Sequence, residues 1–317
     1  MIKAKKFIDR GYEFDAIPKR KSKYKPFAYV CLFLALIPII SYFIFNGTTL
    51  VLAIISMFTD MNANSLETMQ WAGFENFARL FQDTRFWKSW GVTLILATSQ
   101  FVTLFIALII AYLLEQKVKG AKALTVLYFM PYICSSVAVA LMWSWVFATN
   151  NGILNTILGS RIEWLDNADQ PWRLIFAVYI TIVWQAPAYG IVMFKAALKN
   201  VNPSLYEAAS IDGANAFHKF WKVTLPSIKS VLLFLCLASI TNGLGVFDSV
   251  LILSPLKYGN IAGPNDAALT VQYYIYIIGI KEMDIEYASV LSLVYFIIVF
   301  ALTYPVIRAR NKESEEA

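Results

Sequence analysis

Long runs of apolar residues, separated by shorter polar segments, fill most of the 317-residue chain. Five of these runs have about the 20-residue length that an α-helix needs to cross a bilayer, and a sixth run is longer. None of the runs alternates apolar and polar positions as a membrane strand does. The pattern therefore predicts an all-α integral membrane protein with six transmembrane helices, at about 27–58, 89–114, 123–147, 174–194, 223–253 and 287–307.

The first run, 27–58, is 32 residues long, more than one straight crossing requires. Dividing it at the turn-forming sequence NGTT, residues 46–49, would leave a second piece too short to cross. We therefore expect one span with a projecting or bent end. No cleavage site of small residues follows the run, which predicts a retained anchor rather than a removed signal peptide.

The distribution of charge predicts the orientation of the spans. Residues 1–25 contain nine Lys and Arg against three acidic residues, which accounts for the whole net charge of +6. With the N-terminus inside, the cytoplasmic segments collect nineteen Lys and Arg, and the outside loops near 60–88, 148–173 and 254–286 collect seven. This excess predicts that both termini are cytoplasmic. The predicted domains are a basic cytoplasmic tail at 1–26, a six-span transmembrane domain at 27–307, and a cytoplasmic C-terminal tail at 308–317.

Composition narrows the class of protein further. Hydrophobic residues make up 58% of the chain and charged residues only 15%, well below the quarter or so expected of a soluble domain. A basic tail beside an apolar run is typical of contact with anionic membrane lipid. No helical or aromatic DNA-recognition element accompanies the basic residues, so no nucleic-acid partner is expected. Cys31, Cys134 and Cys236 lie singly in apolar runs and His218 is the only histidine. Neither a disulfide framework, a metal site nor a catalytic cluster is expected.

The predicted spans contain almost no charged residue near the middle of the membrane, which bears on the class of membrane protein. Ion-coupled carriers usually keep a carboxylate or a cation in the membrane for the coupling ion. An ion-coupled secondary transporter of a small polar solute is therefore an alternative interpretation of the chain, but one that the lack of such charges disfavours. Asp248 is expected near the outer interface, because it lies about 33 Å beyond Pro226 along a straight helix.

Uncharged polar and aromatic residues do occur at depth. Pro187 frees a backbone carbonyl and predicts a kink in the fourth span, and the sequence TNGLGVFD, residues 241–248, favours an interruption in the fifth. Interrupted helices can expose backbone groups to a solute, although small and polar residues also serve to pack helices together. With both interpretations open, the candidate solute path consists of Trp184, Gln185, Asn242, Phe247 and Asp248.

A mostly polar segment, 199–226, separates the fourth and fifth predicted spans. Asn202 and Pro203 are expected to open a helix, and Ser204 and Glu207 have capping-box spacing. The helix should continue to Asp212, where Gly213 permits a left-handed stop. A second short helix should carry Phe217, Phe220 and Trp221 on one aromatic face. This helix–glycine–helix loop is either an amphipathic segment resting on the membrane or a docking element for a cytoplasmic protein.

The sequence YEAASIDGANAFHKFWKVTLP, residues 206–226, resembles the Glu-Ala-Ala loop of ABC-transporter permease subunits. The matching positions are Glu207, Ala208, Ala209, Gly213, Leu225 and Pro226. Tyr206 and the sequence IDGA resemble the subfamily that imports carbohydrates with an external binding protein. Segments 73–81, 127–155, 246–264, 270–279 and 286–292 look like further landmarks of this subfamily, so the resemblance covers about three-quarters of the chain.

The resemblance implies a coupling helix at 207–213 that sits in a cleft of a cytoplasmic ABC ATPase dimer. The implied coupling interface is Tyr206, Glu207, Ala208, Ala209, Asp212, Gly213, Phe217 and Pro226. The chain has no GxxxxGK[ST] nucleotide-binding signature, so ATP and Mg are expected on the partner and no cofactor on this chain.

Further partners follow from the same resemblance. It implies a second permease subunit, a homologous but different chain, together with an extracytoplasmic solute-binding protein and a carbohydrate substrate. The expected location is the bacterial cytoplasmic membrane. The long first span and the loop LSPLKYGNIAGP, 253–264, depart from the subfamily's pattern.

Overall fold

The computed structural model describes residues 25–60, 70–116, 119–254 and 259–316. Nearly all of the predicted basic tail, residues 1–24, lies outside the described residues. So do 61–69, 117–118 and 255–258, which belong to predicted connections between spans. The strands described are β1 (Thr59–Asp60) and β2 (Gln70–Trp71), which pair antiparallel over two residues each.

Helices make up almost all of the remaining regular structure. The α-helices in chain order are α1 (Lys25–Tyr42), α2 (Thr48–Ser56), α3 (Glu75–Gln82), α4 (Thr84–Glu115), α5 (Ala121–Ile133), α6 (Ser136–Val146), α7 (Ile153–Leu158), α8 (Trp172–Gln185), α9 (Pro187–Lys199), α10 (Pro203–Ile211), α11 (Ala216–Lys219), α12 (Leu225–Ser227), α13 (Lys229–Leu244), α14 (Asp248–Leu253), α15 (Val271–Tyr276) and α16 (Ile285–Glu316). Shorter turns are π-helical at Phe43–Gly47, Phe220–Thr224 and Ile277–Lys281, and 3-10 at Pro264–Asp266.

Five helical segments are long and apolar enough to cross a membrane: Tyr29–Ser56, Thr84–Glu115, Trp172–Lys199, Lys229–Leu253 and Ile285–Lys312. The pair α5 and α6 supplies a sixth if it is counted as one span. The predicted all-α membrane fold is thereby confirmed. Helix α16 continues past the predicted boundary at residue 307 to Glu316 without a break.

The third predicted span is not the single helix expected over 123–147. Its halves, Ala123–Ile133 and Ser136–Val146, meet at an angle of 95°. Cys134 and Ser135 between them are extended, with ψ of 146° and 137°. Pro131, one turn earlier, lacks the backbone N–H that would continue the helical hydrogen bonds. Hydropathy misses this break because the residues around it are as apolar as the rest of the run.

The chain divides into two units, Met1–Ile54 and Ile55–Ala317. The described part of the first unit is helical throughout. Its π-helical turn Phe43–Gly47 includes the first two residues of the NGTT sequence, 46–49. Its side chains, such as Phe33 and Phe45, are exposed, as a helix surrounded by lipid would leave them.

Helix α4 is the central helix of the second unit, against which α8, α9 and α13 pack. A Cβ added at Gly190 of α9 would lie 2.8 Å from the Cβ of Ala107. A Cβ added at Gly243 of α13 would lie 3.0 Å from the backbone of Ala97. Both glycines therefore let a neighbouring helix approach α4 more closely than a larger residue would allow.

Asp83 caps the start of α4 and joins it to two later segments. Its Oδ1 accepts a hydrogen bond from Phe86 N at 3.0 Å. Its Oδ2 accepts hydrogen bonds from the hydroxyls of Tyr274, at 2.8 Å, and Tyr287, at 2.6 Å. One carboxylate thus fixes the first turn of α4 to α15 and to the first turn of α16.

An ion pair lies beside this carboxylate. Arg79 donates to Asp284 at 2.6 Å, and its guanidinium carbon lies 4.0 Å from the centroid of the Tyr287 ring. The Asp83 clamp, as we call it, consists of Arg79, Asp83, Tyr274, Asp284 and Tyr287. It ties α3 and α4 to the chain that follows the fifth span.

The connections at this end of the molecule also contact one another. Arg85 pairs with Asp266 at 3.1 Å, and the second carboxylate oxygen of Asp266 accepts from Ile261 N at 2.7 Å. Asn265 donates to the carbonyl of Ala168 at 3.5 Å. The described parts of the three connections predicted to share one side of the membrane therefore meet at one end of α4.

Candidate functional site

Three interrupted helices surround a cavity of about 550 Å³. One interruption is the bend between α5 and α6, the second is at Ala186 between α8 and α9, and the third is at Gly245, between α13 and α14. Interrupted helices leave backbone groups without partners in their own helix, and transporters use such groups at solute sites. The cavity is lined by Gln100, Tyr132, Cys134, Ser136, Ile182, Gln185, Ala186, Gly245, Val246, Phe247, Asp248 and Ser249.

Gln185 connects two of the interruptions. Its side-chain Nε2 donates to the backbone carbonyl of Cys134 at 3.4 Å, so the last residue of α8 supports the bend of the third span. The amide thereby partly satisfies a carbonyl that the bend removes from the α5 hydrogen-bond pattern.

Three residues of the predicted solute path, Gln185, Phe247 and Asp248, line this one cavity. The expected position of Asp248 treated the fifth span as one uninterrupted helix, whereas the helix is interrupted at Gly245 within the apolar segment Lys229–Leu253. Helix α13 ends at Leu244, Phe247 has the non-helical angles φ −136° and ψ −61°, and α14 begins at Asp248. Asp248 is the charged side chain among the lining residues.

The other two predicted path residues lie elsewhere. Asn242 lines a smaller lobe of about 180 Å³, which shares Gln100, Tyr132 and Ala186 with the main cavity. Trp184 lines a separate, apolar cavity of about 550 Å³ beside Pro131, and its ring meets Trp143 edge-on at 5.8 Å. Four of the five residues therefore line two neighbouring cavities with shared lining residues, and Trp184 lines a third, apolar cavity that shares Cys134 with the main one.

Sequence reasoning missed several lining residues. Gln100 lies in the apolar run of α4, and Tyr132, Cys134 and Ser136 flank the bend of the third span. A signal was available for the bend, because a proline followed within a few residues by two serines marks a weak point in a helix. No comparable local signal marks Gln100, whose place depends on how α4 packs.

The 206–226 element has the predicted order of helix, glycine and short helix. Asn202 is the N-cap of α10, with its side chain accepting from Ser204 N at 3.1 Å, and Pro203 is the first helical residue. The expected capping box of Ser204 and Glu207 is therefore wrong, because Pro203 is the first helical residue and the N-cap is Asn202, two residues before Ser204. Gly213 is left-handed, with φ +75°, as predicted.

Hydrogen bonds within the element hold its two helices together. The Tyr206 hydroxyl bonds Thr224 Oγ1 at 2.9 Å, and Lys219 Nζ donates to Ser210 Oγ at 2.8 Å. Asn215 caps α11 by accepting from His218 N at 2.9 Å. The element is thus a defined structure rather than an open loop.

Its aromatic residues do not share one face as expected. Phe220 begins a π-helical turn and packs edge-on against Tyr112 of α4, at 5.2 Å between ring centroids. Phe217 and Trp221 are 68% and 51% exposed, and Ile211 is 87% exposed. The π-helical turn changes the angular spacing, so that one aromatic residue anchors the element while the others face outward.

Most of the residues implied as the coupling interface are on the exposed surface. Glu207, Ala208, Asp212, Gly213, Phe217 and Pro226 are exposed, whereas Tyr206 and Ala209 are half-buried. Since Tyr112 lies near the far end of α4, the element and the Asp83 clamp are at opposite ends of a helix about 48 Å long.

No cluster of His, Cys, Asp or Glu among the described residues could hold a metal ion. The three cysteines are free thiols. The cavity and the element accordingly offer hydrogen-bonding, aromatic and docking surfaces, which suit binding and movement of a solute.

The comparisons with known proteins agree with this geometry. The chain is 31% identical over 250 residues to the sn-glycerol-3-phosphate transport system permease protein UgpA of Shigella flexneri, covering 78% of this chain and 81% of that one. It is 31% identical over 257 residues to the probable ABC transporter permease protein YesP of Bacillus subtilis, covering 78% and 80%.

The fold is shared with a bacterial ABC transporter involved in the import of the acidic polysaccharide alginate. The TM-score is 0.74 at 22% identity, covering 90% of this chain and 96% of that chain. The same score, at 20% identity, relates it to the alginate transporter in complex with alginate pentasaccharide-bound periplasmic protein. A family model described as "Binding-protein-dependent transport system inner membrane component" matches residues 103–311. The chain is a multi-pass membrane protein that belongs to this family of ABC-transporter permease components, which are not themselves enzymes.

Proposed function

We propose that this chain forms the translocation path for a carbohydrate in an ABC importer of the bacterial cytoplasmic membrane. An extracytoplasmic solute-binding protein delivers the carbohydrate, and a cytoplasmic ABC ATPase dimer that binds ATP and Mg drives its movement. A second permease subunit, homologous but different, completes the path. The observation that carries the proposal is the 206–226 element, a hydrogen-bonded structure that presents apolar and acidic residues without a partner surface in the described chain.

The element has the properties of a docking surface. Large apolar side chains such as Ile211 and Phe217 are costly to leave in water and are typical of buried interface anchors. Ala208 permits close approach, and Glu207 adds a charge at the rim. Phe220 packs against Tyr112 of α4, and both Phe220 and Tyr206 pack against a buried cluster that includes Leu235 of α13, so a force applied to the element would reach both helices.

The orientation belongs to the same proposal. If the 206–226 element faces the cytoplasm, both termini do as well, and the Asp83 clamp faces outside. The excess of Lys and Arg in the segments on the element's side supports this orientation.

A carbohydrate is proposed because of the relatives and the cavity. One relative's name gives sn-glycerol-3-phosphate, and the structures of similar fold are described as importing a polysaccharide. The cavity combines amide, carboxylate and hydroxyl groups with the rings of Tyr132 and Phe247. Hydrogen-bonding groups beside aromatic faces suit a hydroxylated ring.

The test is coupling between the chain and its ATPase in proteoliposomes. Glu207→Ala should lower ATP-driven uptake and solute-stimulated ATP hydrolysis by about tenfold, as expected for an interface contact worth 1–2 kcal/mol. The matched control is Glu282→Ala, which removes an exposed glutamate at the opposite end. Normal membrane insertion with uptake equal to that of the control would refute the docking role.

A further inference from the structure

Helix α3 (Glu75–Gln82), which precedes α4 in the chain, has three different faces. They are a buried or half-buried face of Asn76, Phe77 and Leu80, an exposed polar face of Glu75, Arg79 and Gln82, and an exposed apolar face of Phe74, Ala78 and Phe81. An amphipathic helix at a protein surface needs only the first two, one toward the core and one toward water. The third face therefore indicates an apolar partner outside the described chain.

Trp71 of β2 extends this apolar surface, which we name the α3 aromatic face and which consists of Trp71, Phe74, Ala78 and Phe81. Its three rings are 76%, 71% and 75% exposed. The ring of Phe58 stacks on Trp71 at 5.8 Å between centroids and meets Phe74 edge-on at 5.5 Å. The Phe58 carbonyl accepts a hydrogen bond from Ala72 N at 2.9 Å. The Trp71 and Phe74 rings are thus held in place, and a contiguous exposed apolar patch of this kind is typical of an interaction site.

The α3 aromatic face lies next to an exposed apolar stripe of α4. The indole Nε1 of Trp87 donates to the carbonyl of Leu80, in α3, at 3.1 Å. Trp87 is itself partly exposed and begins a stripe that continues, at intervals of seven residues, with the exposed side chains of Leu94 and Phe101. Helix α4 is long and apolar enough to cross a membrane, and an exposed apolar stripe on such a helix suits contact with lipid.

The charges of α4 indicate the depth at which α3 lies. Lys88 and Glu115 are 27 residues apart, with no charged residue between them. Along a helix this separation is about 40 Å, close to the thickness of a bilayer with its headgroups. Lys88 is therefore expected at headgroup level, and the neighbouring Trp87 is of the residue type enriched there. Because Trp87 is hydrogen-bonded to α3, the same depth is expected for α3.

We propose that α3 is an interfacial anchor whose aromatic face enters the boundary between lipid headgroups and acyl chains. The exposed polar side chains, such as Glu75 and Gln82, remain in water. A helix that lies in the interface buries its apolar face in this way. Arg79 of α3 belongs to the Asp83 clamp, so the anchor holds the clamp at the membrane surface. The proposal goes beyond the transport function and does not depend on which side of the membrane α3 occupies.

The first measurement is the environment of a nitroxide label in proteoliposomes. The full-length chain has its three cysteines, Cys31, Cys134 and Cys236, replaced by Ala, and one cysteine is introduced for labelling. Power saturation compares collisions with O2, which concentrates in lipid, and with nickel–EDDA, which stays in water. The ratio of O2 to nickel collisions should be several-fold higher at Phe81→Cys than at Gln82→Cys, the next residue, on the polar face. Leu94→Cys supplies the reference for lipid. Equal ratios at Phe81→Cys and Gln82→Cys would place the aromatic face in water and would overturn the proposal.

The second measurement separates lipid from protein as the partner. Ala78→Cys removes no ring from the face and should give the same high ratio as Phe81→Cys. If the label at both positions collided rarely with O2 as well as with nickel–EDDA, protein would cover the face and the anchor would be refuted. The ratio should also stay constant when the protein-to-lipid ratio is lowered. A rise in O2 collisions on dilution would assign the face to contacts with a second copy of the chain and would equally refute the anchor.

Discussion

The two ends of α4 are built in opposite ways. At the Asp83 clamp, charged and hydroxyl groups are paired with one another across residues far apart in the chain, and the two tyrosines are buried. In the 206–226 element the hydrogen bonds are local, and large apolar groups are left exposed. The polar groups of the clamp thus stabilise the fold, whereas the exposed surface of the element is the one that we propose binds another protein.

The sharpest test of this comparison is Asp83→Ala. The change leaves two buried tyrosine hydroxyls without an acceptor and removes the cap of α4, for a total loss of about 3–5 kcal/mol of unfolding free energy. Denaturant unfolding of the purified full-length chain in detergent micelles measures it. Glu207→Ala, at the other end, should change stability by less than about 0.5 kcal/mol. Equal losses at the two positions would remove the distinction between the ends.

The contrast also explains which features the sequence could predict. The all-α membrane class, the interruption at Pro187 and the left-handed Gly213 depend on local chemistry, and the sequence indicates each of them correctly. The clamp joins Asp83 to Tyr287 over 204 residues, and no spacing rule connects positions so distant. Its tyrosines look like ordinary interfacial residues until the fold places them beside a carboxylate.

Other errors concern breaks within single spans of the candidate site. The bend at Cys134 is hidden because an apolar run can break without changing its hydropathy. The straight-helix distance for Asp248 did not allow for the interruption at Gly245 between α13 and α14. Four of the proposed path residues line the two neighbouring cavities, but which helices bring them there could not be predicted from one span at a time.

A second prediction concerns the exposed aromatic residue of the element. Phe217→Ala should leave the unfolding free energy within about 0.5 kcal/mol of the wild type, because the side chain is 68% exposed. It should weaken association with the ATPase partner by about 1–2 kcal/mol, which is about tenfold in Kd. Titration of the purified partner onto the reconstituted chain measures this loss.

The matched control for that experiment is Phe220→Ala, whose ring packs against Tyr112 instead of facing outward. It should lower stability as well as association. If Phe217→Ala lowered stability and left association unchanged, the exposed surface would have to be regarded as part of the fold rather than as a docking face.

The smallest expected effect is a dependence on alkaline pH at the clamp. Burial and the hydrogen bond to Asp83 raise the pKa of Tyr274 above its usual value of about 10. The folded chain therefore keeps this proton where the unfolded chain loses it. The resulting contribution to stability is complete below pH 10 and declines as pH rises through the interval between the unfolded and folded pKa values. One pH unit above 10, the wild type should have lost about 1 kcal/mol that Tyr274→Phe cannot lose. Unfolding free energies of both proteins at pH 9 and pH 11 measure the difference, and parallel declines would mean that the Tyr274 hydroxyl is not held by Asp83 in the folded chain.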